Sequence, residues 1–155
     1  MKVIEKDILT VESGIICQQV NCQGKMNSGL AKQIREKWPV VFDRYITFCN
    51  YKKNDFELLG EILPVYVKGT TDSSLIICNV FGQLNYGYDG KRYTDYGALN
   101  NAFKNIIEYK DSWFAEEKDI YFPFNFGACR GGGSWEIISN MIEYYFPNAI
   151  ICKYP

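Results

Sequence analysis

Two hydrophobic rhythms alternate along this chain. Val3 to Leu9 and Gly14 to Val20 are short, mostly apolar runs that predict strands. A polar, glycine-containing stretch from Asn21 to Gly29 follows. Apolar residues then recur at 30, 31, 34 and 38, a helical spacing, and Pro39 closes that helix. Phe42, Tyr45, Ile46 and Cys49 repeat the spacing and predict a second helix. Glu61 to Val67 and Leu75 to Phe81 read as strands, joined by a turn of Gly, Thr, Asp and Ser from Lys68 to Ser74. After a Gly/Tyr-rich loop from Asn85 to Tyr93 comes a helix with Leu99, Ala102, Phe103, Ile106 and Ile107 on one stripe. Ile120 to Phe126 predicts an aromatic strand, Trp135 to Phe146 a helix, and Ala149 to Lys153 a last strand.

Strands that alternate with helices predict an α/β domain, a mostly parallel sheet with helices on both faces. The 155 residues are expected to form one domain over 1–155. Hydrophobic residues at 47% and charged residues at 23% match a soluble globular protein. Lys plus Arg is 17 and Asp plus Glu is 18, so the basic footprint of non-specific nucleic-acid binding is missing. No apolar run reaches the ~18 residues of a membrane span, and Met1 to Asp7 lacks the apolar stretch of a signal peptide. There is no histidine. Ser-His-Asp and Cys-His catalysis within the chain and His-ligated metal sites are thereby excluded. The six cysteines form no Cys-x-x-Cys pair, and Cys17, Cys78 and Cys152 each follow Ile-Ile inside an apolar run. Those three read as buried thiols in strands, the missing pair makes a zinc site unexpected, and reduced thiols fit a cytoplasmic protein; no metal and no cofactor are expected, and the protein is expected to be a monomer.

In open α/β sheets, ligands bind beyond the carboxyl ends of strands, where loops enter helices. Two loops meet that description: 21–29, with Gly24, Lys25, Ser28 and Gly29, and 127–134, with Gly127, Arg130, Gly131, Gly132 and Gly133. Glycine lets a backbone approach an anion closely, and a helix N-terminus adds partial positive charge. Ser28 and Ser134 stand where N-caps would be. Neither loop carries a Walker or a Gly-x-Gly-x-x-Gly pattern. Tight strand-to-helix turns alone would also require such glycines.

Val20-Asn21-Cys22-Gln23-Gly24-Lys25-Met26-Asn27-Ser28-Gly29-Leu30-Ala31 resembles the first signature of macrodomains, α/β modules that bind ADP-ribose. Asn79 to Gln83 followed by Arg92 to Tyr96 resembles the middle of a microbial and phage branch that processes ADP-ribose-1''-phosphate. Pro123 to Trp135 is similar to the second signature, and Lys6-Asp7-Ile8 stands where Gly-Asp-Ile is usual. The resemblance implies a three-layer αβα sandwich around a mixed, mostly parallel sheet. It implies that Asp7 accepts from the adenine amine and that Ile8 donates a backbone N–H nearby. Asn21 would reach the distal ribose. Gly24, Lys25, Met26, Asn27, Ser28, Gly29 and Leu30 would wrap that ribose and the pyrophosphate. Gly127, Ala128, Cys129, Arg130, Gly131, Gly132, Gly133, Ser134 and Trp135 would cradle the pyrophosphate from the other side. Gln83, Arg92 and Tyr93 complete the expected contacts.

The departures from that pattern bear on chemistry. Asn27 replaces a glycine, and Ser134 stands where the branch has an acid. Another hydrolytic branch uses a lysine and an aspartate where this chain has Gln83 and Gly131. Asp95 and Lys25 are the remaining candidates for acid–base or charge-stabilising work. Cys22 or Cys129 would serve as a nucleophile only with a lowered pKa. Two readings stand: an enzyme that hydrolyses an ADP-ribose derivative, as a phosphatase or an ADP-ribosyl hydrolase, and a module that binds ADP-ribose or a cyclic ADP-ribose-type signal without turnover.

Overall fold

The computed structural model describes residues 1–52, 54–68 and 74–155, with Lys68 described by its backbone only. The turn expected between Lys68 and Ser74 lies outside the described residues, apart from its two ends. The strands are β1 (Lys2–Glu5), β2 (Gly14–Asn21), β3 (Ile62–Lys68), β4 (Leu75–Gln83), β5 (Ile120–Pro123) and β6 (Ile150–Lys153). The helices are α1 (Gly29–Lys37), α2 (Pro39–Tyr51), α3 (Tyr96–Tyr109) and α4 (Trp135–Tyr145). One six-stranded sheet has the order β1-β6-β5-β2-β4-β3. Only the β3–β4 pair is antiparallel; every other neighbour is parallel. The sheet is thus mixed and mostly parallel, as expected.

Side chains of β2 alternate between two cores, because successive strand residues point to opposite faces. Ile16 and Val20 join Ile34, Val41 and Tyr45 of α1 and α2. Ile15 and Cys17 join Leu99, Phe103, Ile138 and Ile142 of α3 and α4. Helices therefore cover both faces, the three-layer arrangement. Tyr45 stacks on Phe81 at 5.8 Å on one side. On the other, Phe103 meets Phe122 at 5.8 Å and Phe146 at 5.5 Å, both edge to face. Much of the high aromatic share is core packing. Among the described residues no helix is long and apolar enough to cross a membrane.

Two expected strands are shorter than their apolar runs. β1 stops at Glu5, because the Asp7 carboxylate accepts from Leu9 N at 3.0 Å and turns residues 8–10 into a short 3-10 helix. β5 stops at Pro123, where Asn125 takes a left-handed φ of 64° and starts a chain of turns. β4 runs two residues past Phe81 to Gln83, and all nine of its residues are buried.

Candidate functional site

The sheet order contains a topological switch point. From β2 the chain leaves to β3 and β4 on one side; β5 and β6 lie on the other. β2 stays paired with β4 as far as Asn21 and Gln83. Its pairing with β5 covers only Ile15–Ile120 and Ile16–Tyr121. Beyond Ile16 the two strands part, and a cavity of about 280 Å³ opens at their carboxyl ends. Its walls come from the end of β2, the start of α1, the 86–88 arm and the 123–131 segment.

Backbone N–H groups in the 127–134 loop fall into two sets. The N–H groups of Ala128, Gly132, Gly133 and Ser134 are used internally: on Asn125 O, Cys129 O, Gly127 O and Tyr96 Oη. None of these four residues lines the cavity. Gly127, Cys129, Arg130 and Gly131 do line it, and their N–H groups have no acceptor among the described residues. The opposite wall repeats the arrangement. Ser28, Gly29, Leu30 and Ala31 open α1 at the cavity, and Ser28 makes no side-chain cap there. The first-turn donors of α1 are left for another acceptor. In contrast, Asp95 caps α3 by accepting from Ala98 N at 2.9 Å, and Ser134 caps α4 by accepting from Ile137 N at 3.3 Å.

A neutral amide network supports the glycine loop from below. Gln19 Nε2 donates to Gln83 Oε1 at 2.7 Å and to Thr94 Oγ1 at 2.8 Å. Thr94 Oγ1 donates on to Gly127 O at 2.7 Å, and the N–H groups of Tyr93 and Thr94 donate to Gly131 O. A Cβ on Gly131 would collide with Thr94 Oγ1 and lie 2.8 Å from Gln19 Nε2, so only glycine fits over this network. Gln83 and Gly131, where a hydrolytic branch has lysine and aspartate, are thus parts of an uncharged support.

Asn21 is buried at the cavity's edge, and its amide organises its own loop. Oδ1 accepts from Tyr45 Oη at 2.9 Å and Gln23 N at 2.9 Å; Nδ2 donates to Lys25 O at 2.9 Å. Lys25, Asn27, Ser28, Gly29, Leu30 and Gln83 line the cavity with it. Gly24 and Met26 do not, and Met26 is turned into the core. Asp7 and Ile8 are also outside the lining. Arg92 stacks on Tyr96 at 4.8 Å, and Tyr93 Oη donates to both carboxylate oxygens of Asp89 at 2.9 Å, so neither reaches the cavity. Trp135 packs on Phe124 at 5.0 Å, behind the wall. Gly132 has φ of 66°, and a Cβ there would lie 2.5 Å from Lys91 O, on the side away from the cavity. Asp95 is exposed, serves as the α3 cap and does not line the cavity. Gln18, Gln19, Phe124 and Asn125 line it without having been singled out in the sequence. The signal for two of them was present: adjacent glutamines inside an otherwise apolar strand.

Among the described residues the lining contains Lys25 and Arg130 and no carboxylate. The cavity is therefore electropositive within a chain of net charge −1. Arg130 lies over the Tyr88 ring at 4.7 Å, and Tyr88 Oη reaches toward Ser28 Oγ at 3.5 Å, so one tyrosine spans the mouth between the two loops. Burial pushes the Cys22 thiol up to about 12, with smaller contributions from Cys49 and Asp55, and Sγ donates to Gln83 O. Cys22 is a protonated structural group, unsuited to the nucleophilic role considered for it. Cys129 is exposed and lines the cavity.

No family model matches the sequence. An uncharacterized 17.5 kDa protein from the tk-vs intergenic region of Enterobacteria phage T4 is 26% identical over 147 residues, covering 94% of this chain and 89% of that protein. The macrodomain of Mycobacterium tuberculosis DarG superposes with a TM-score of 0.77 at 19% identity, over 100% of this chain and 97% of its own. Thermosipho africanus DarTG in complex with ADP-ribose gives a TM-score of 0.77 at 17% identity, over 99% of this chain and 41% of its own. Sheet order, layering and these superpositions agree: this chain has the macrodomain fold.

Proposed function

We propose that the cavity binds ADP-ribose, or a related NAD-derived nucleotide, and holds it without turnover. The observation that carries this reading is that Gly127, Cys129, Arg130 and Gly131, whose N–H groups have no acceptor among the described residues, and the uncapped N-terminus of α1 line one cavity. Two sets of donors at one cavity suit a pyrophosphate, whose oxygens accept from both sides. Lys25 and Arg130 add charge of the right sign. Thermosipho africanus DarTG, part of which shares this fold, forms a complex with ADP-ribose, which supports the choice of nucleotide. Absence of a carboxylate from the lining argues for binding over hydrolysis, since attack by water needs a group to take its proton. Asp95, the one acid the sequence offered for that task, is engaged at the α3 cap.

Calorimetry with ADP-ribose and AMP tests the first part, and phosphate release from ADP-ribose-1''-phosphate tests the second. ADP-ribose is expected to bind more tightly than AMP and to raise stability by about 2.7 kcal/mol at ~100 times Kd. Absence of binding by ADP-ribose and its cyclic and phosphorylated relatives would overturn the reading. Phosphate release at ~1 per second or faster would establish the phosphatase instead.

A further inference from the structure

We propose that the segment from Leu84 to Tyr93 is a strap across the cavity mouth and that Tyr88 is its latch, swinging aside to admit the ligand and closing behind it. This rests on the nucleotide-binding reading above and adds to it the step that controls entry and exit.

Both ends of the strap are tied down. An isolated antiparallel bridge joins Gln83 to Thr94. Cys22 N donates to Leu84 O at 3.2 Å, which fixes one end to the first loop. Tyr93 N and Thr94 N donate to Gly131 O at 2.7 and 2.9 Å, which fixes the other end to the glycine loop. Within the strap, Tyr93 Oη donates to both carboxylate oxygens of Asp89, and Asp89 Oδ1 also accepts from Lys91 N at 3.2 Å. Gly87 sits so close to Tyr93 that a Cβ there would collide with the phenol oxygen. The backbone on either side of residue 88 is thereby braced.

The Tyr88 side chain is held far more loosely. It lines the cavity, yet the residue is 66% exposed. Among the described residues it has one partner on each loop: the Arg130 guanidinium, 4.7 Å from its ring centre, and Ser28 Oγ, 3.5 Å from its Oη. Both contacts are weak, since a solvent-exposed cation–π pair is at the low end of its range and 3.5 Å is the limit of a hydrogen bond. An exposed side chain on a braced backbone changes rotamer without moving the chain. A ligand that enters between the two loops displaces Tyr88 from both partners. Stacking uses the face of a guanidinium and leaves its in-plane donors for phosphate oxygens, so the ring can close again over an occupied cavity.

The signature of such a latch is kinetic. A residue that only touches the ligand acts mainly on dissociation. A latch that opens for passage in either direction slows both, and its loss speeds both by a similar factor. Stopped-flow mixing with ADP-ribose reads the two rates, with Trp135 on the lining residue Phe124 as the fluorescent reporter and calorimetry fixing Kd independently. Tyr88→Ala is expected to raise association and dissociation each by at least about fivefold, with Kd altered by less than about threefold. Tyr88→Phe keeps the ring over Arg130 and is expected to stay nearer the parent than Tyr88→Ala in both rates. Faster dissociation alone in Tyr88→Ala would overturn the latch and make Tyr88 an ordinary ligand contact. Rates equal to the parent's in Tyr88→Ala would overturn it while leaving nucleotide binding intact. If the parent does not bind ADP-ribose in calorimetry, the nucleotide reading itself fails and the inference with it.

Discussion

Tyr45 shows how one buried hydroxyl can set a loop. Its Oη donates toward Asn21 O at 2.6 Å and Asn21 Oδ1 at 2.9 Å, and the ring is fully buried against Phe81. Tyr45→Phe keeps the packing and leaves the Asn21 acceptors short of a donor. The expected cost is about 1–3 kcal/mol in a denaturant titration, with weaker ADP-ribose binding because Asn21 no longer fixes residues 21–25. Cysteine reactivity is a second property decided residue by residue. Cys17, Cys22, Cys78 and Cys152 are buried, whereas Cys129 is exposed at the cavity. A thiol reagent applied to the native protein is therefore expected to label Cys129 first, and bound ADP-ribose to slow that labelling. Mass spectrometry after timed quenching reads both. Labelling of Cys129 at an unchanged rate with saturating ligand would show that the ligand sits elsewhere.

At the scale of elements, the site depends on which helix starts are capped. α3 and α4 carry side-chain caps from Asp95 and Ser134, whereas α1 has none. Ser134→Ala is expected to cost about 0.5–2 kcal/mol, and Asp95→Ala a similar amount, with Asp95→Asn retaining the cap. Thermal melts rank the three variants. Asp95→Asn also separates the two functional readings: a cap residue leaves ligand affinity unaltered, whereas abolished phosphate release in that variant would restore Asp95 as an acid. The segment from Gln83 to Tyr96 is the other element on which the site rests. Through Tyr93 N, Thr94 N, Thr94 Oγ1 and Tyr96 Oη it holds the glycine loop from behind. Gly132→Glu would press on Lys91 O at the back of that joint, so its expected loss of binding comes from detaching the loop.

The whole molecule should respond to alkali more than to mild acid. With no histidine, no side chain has its ordinary pKa between about 5 and 8, and stability is expected to be flat there. Burial raises the pKa values of Cys17, Cys22, Tyr45, Cys49, Tyr121 and Cys152. Cys22 is the clearest case. Folded, it keeps its proton to about pH 12; unfolded, it loses it near the ordinary thiol value of 9.0. The folded state binds more protons across that interval, so stability is intact below about pH 9 and falls as pH rises toward 12. Melting temperature against pH measures this, and Cys22→Ala is expected to soften the alkaline slope. A melting temperature constant to pH 11 would contradict it.

The hydrophobic rhythm of the chain determined its architecture, because strand and helix periods are local. Gly14 to Val20 and the stripe through Leu99, Phe103 and Ile106 became β2 and α3 with small shifts at their ends. That the glycines at 127 and 131 and the Asn21 loop would line a cavity was legible, since ligand clefts in α/β sheets open where loops pass from strand to helix. Pairing was not legible. Which N–H groups of the loop are used internally and which residues line the cavity is settled by the loop's tertiary hold, in which Thr94 and Tyr96, more than thirty residues away in sequence, bind Gly127 O, Gly131 O and Ser134 N. Nor could spacing show that Asp95 turns back to cap α3 or that Asp7 holds Leu9 N. Gln18 is the sharpest instance. Its amide is turned as it is only because Leu63 O fixes Asn79, and Asn79 fixes Gln18, across three strands brought together by the fold.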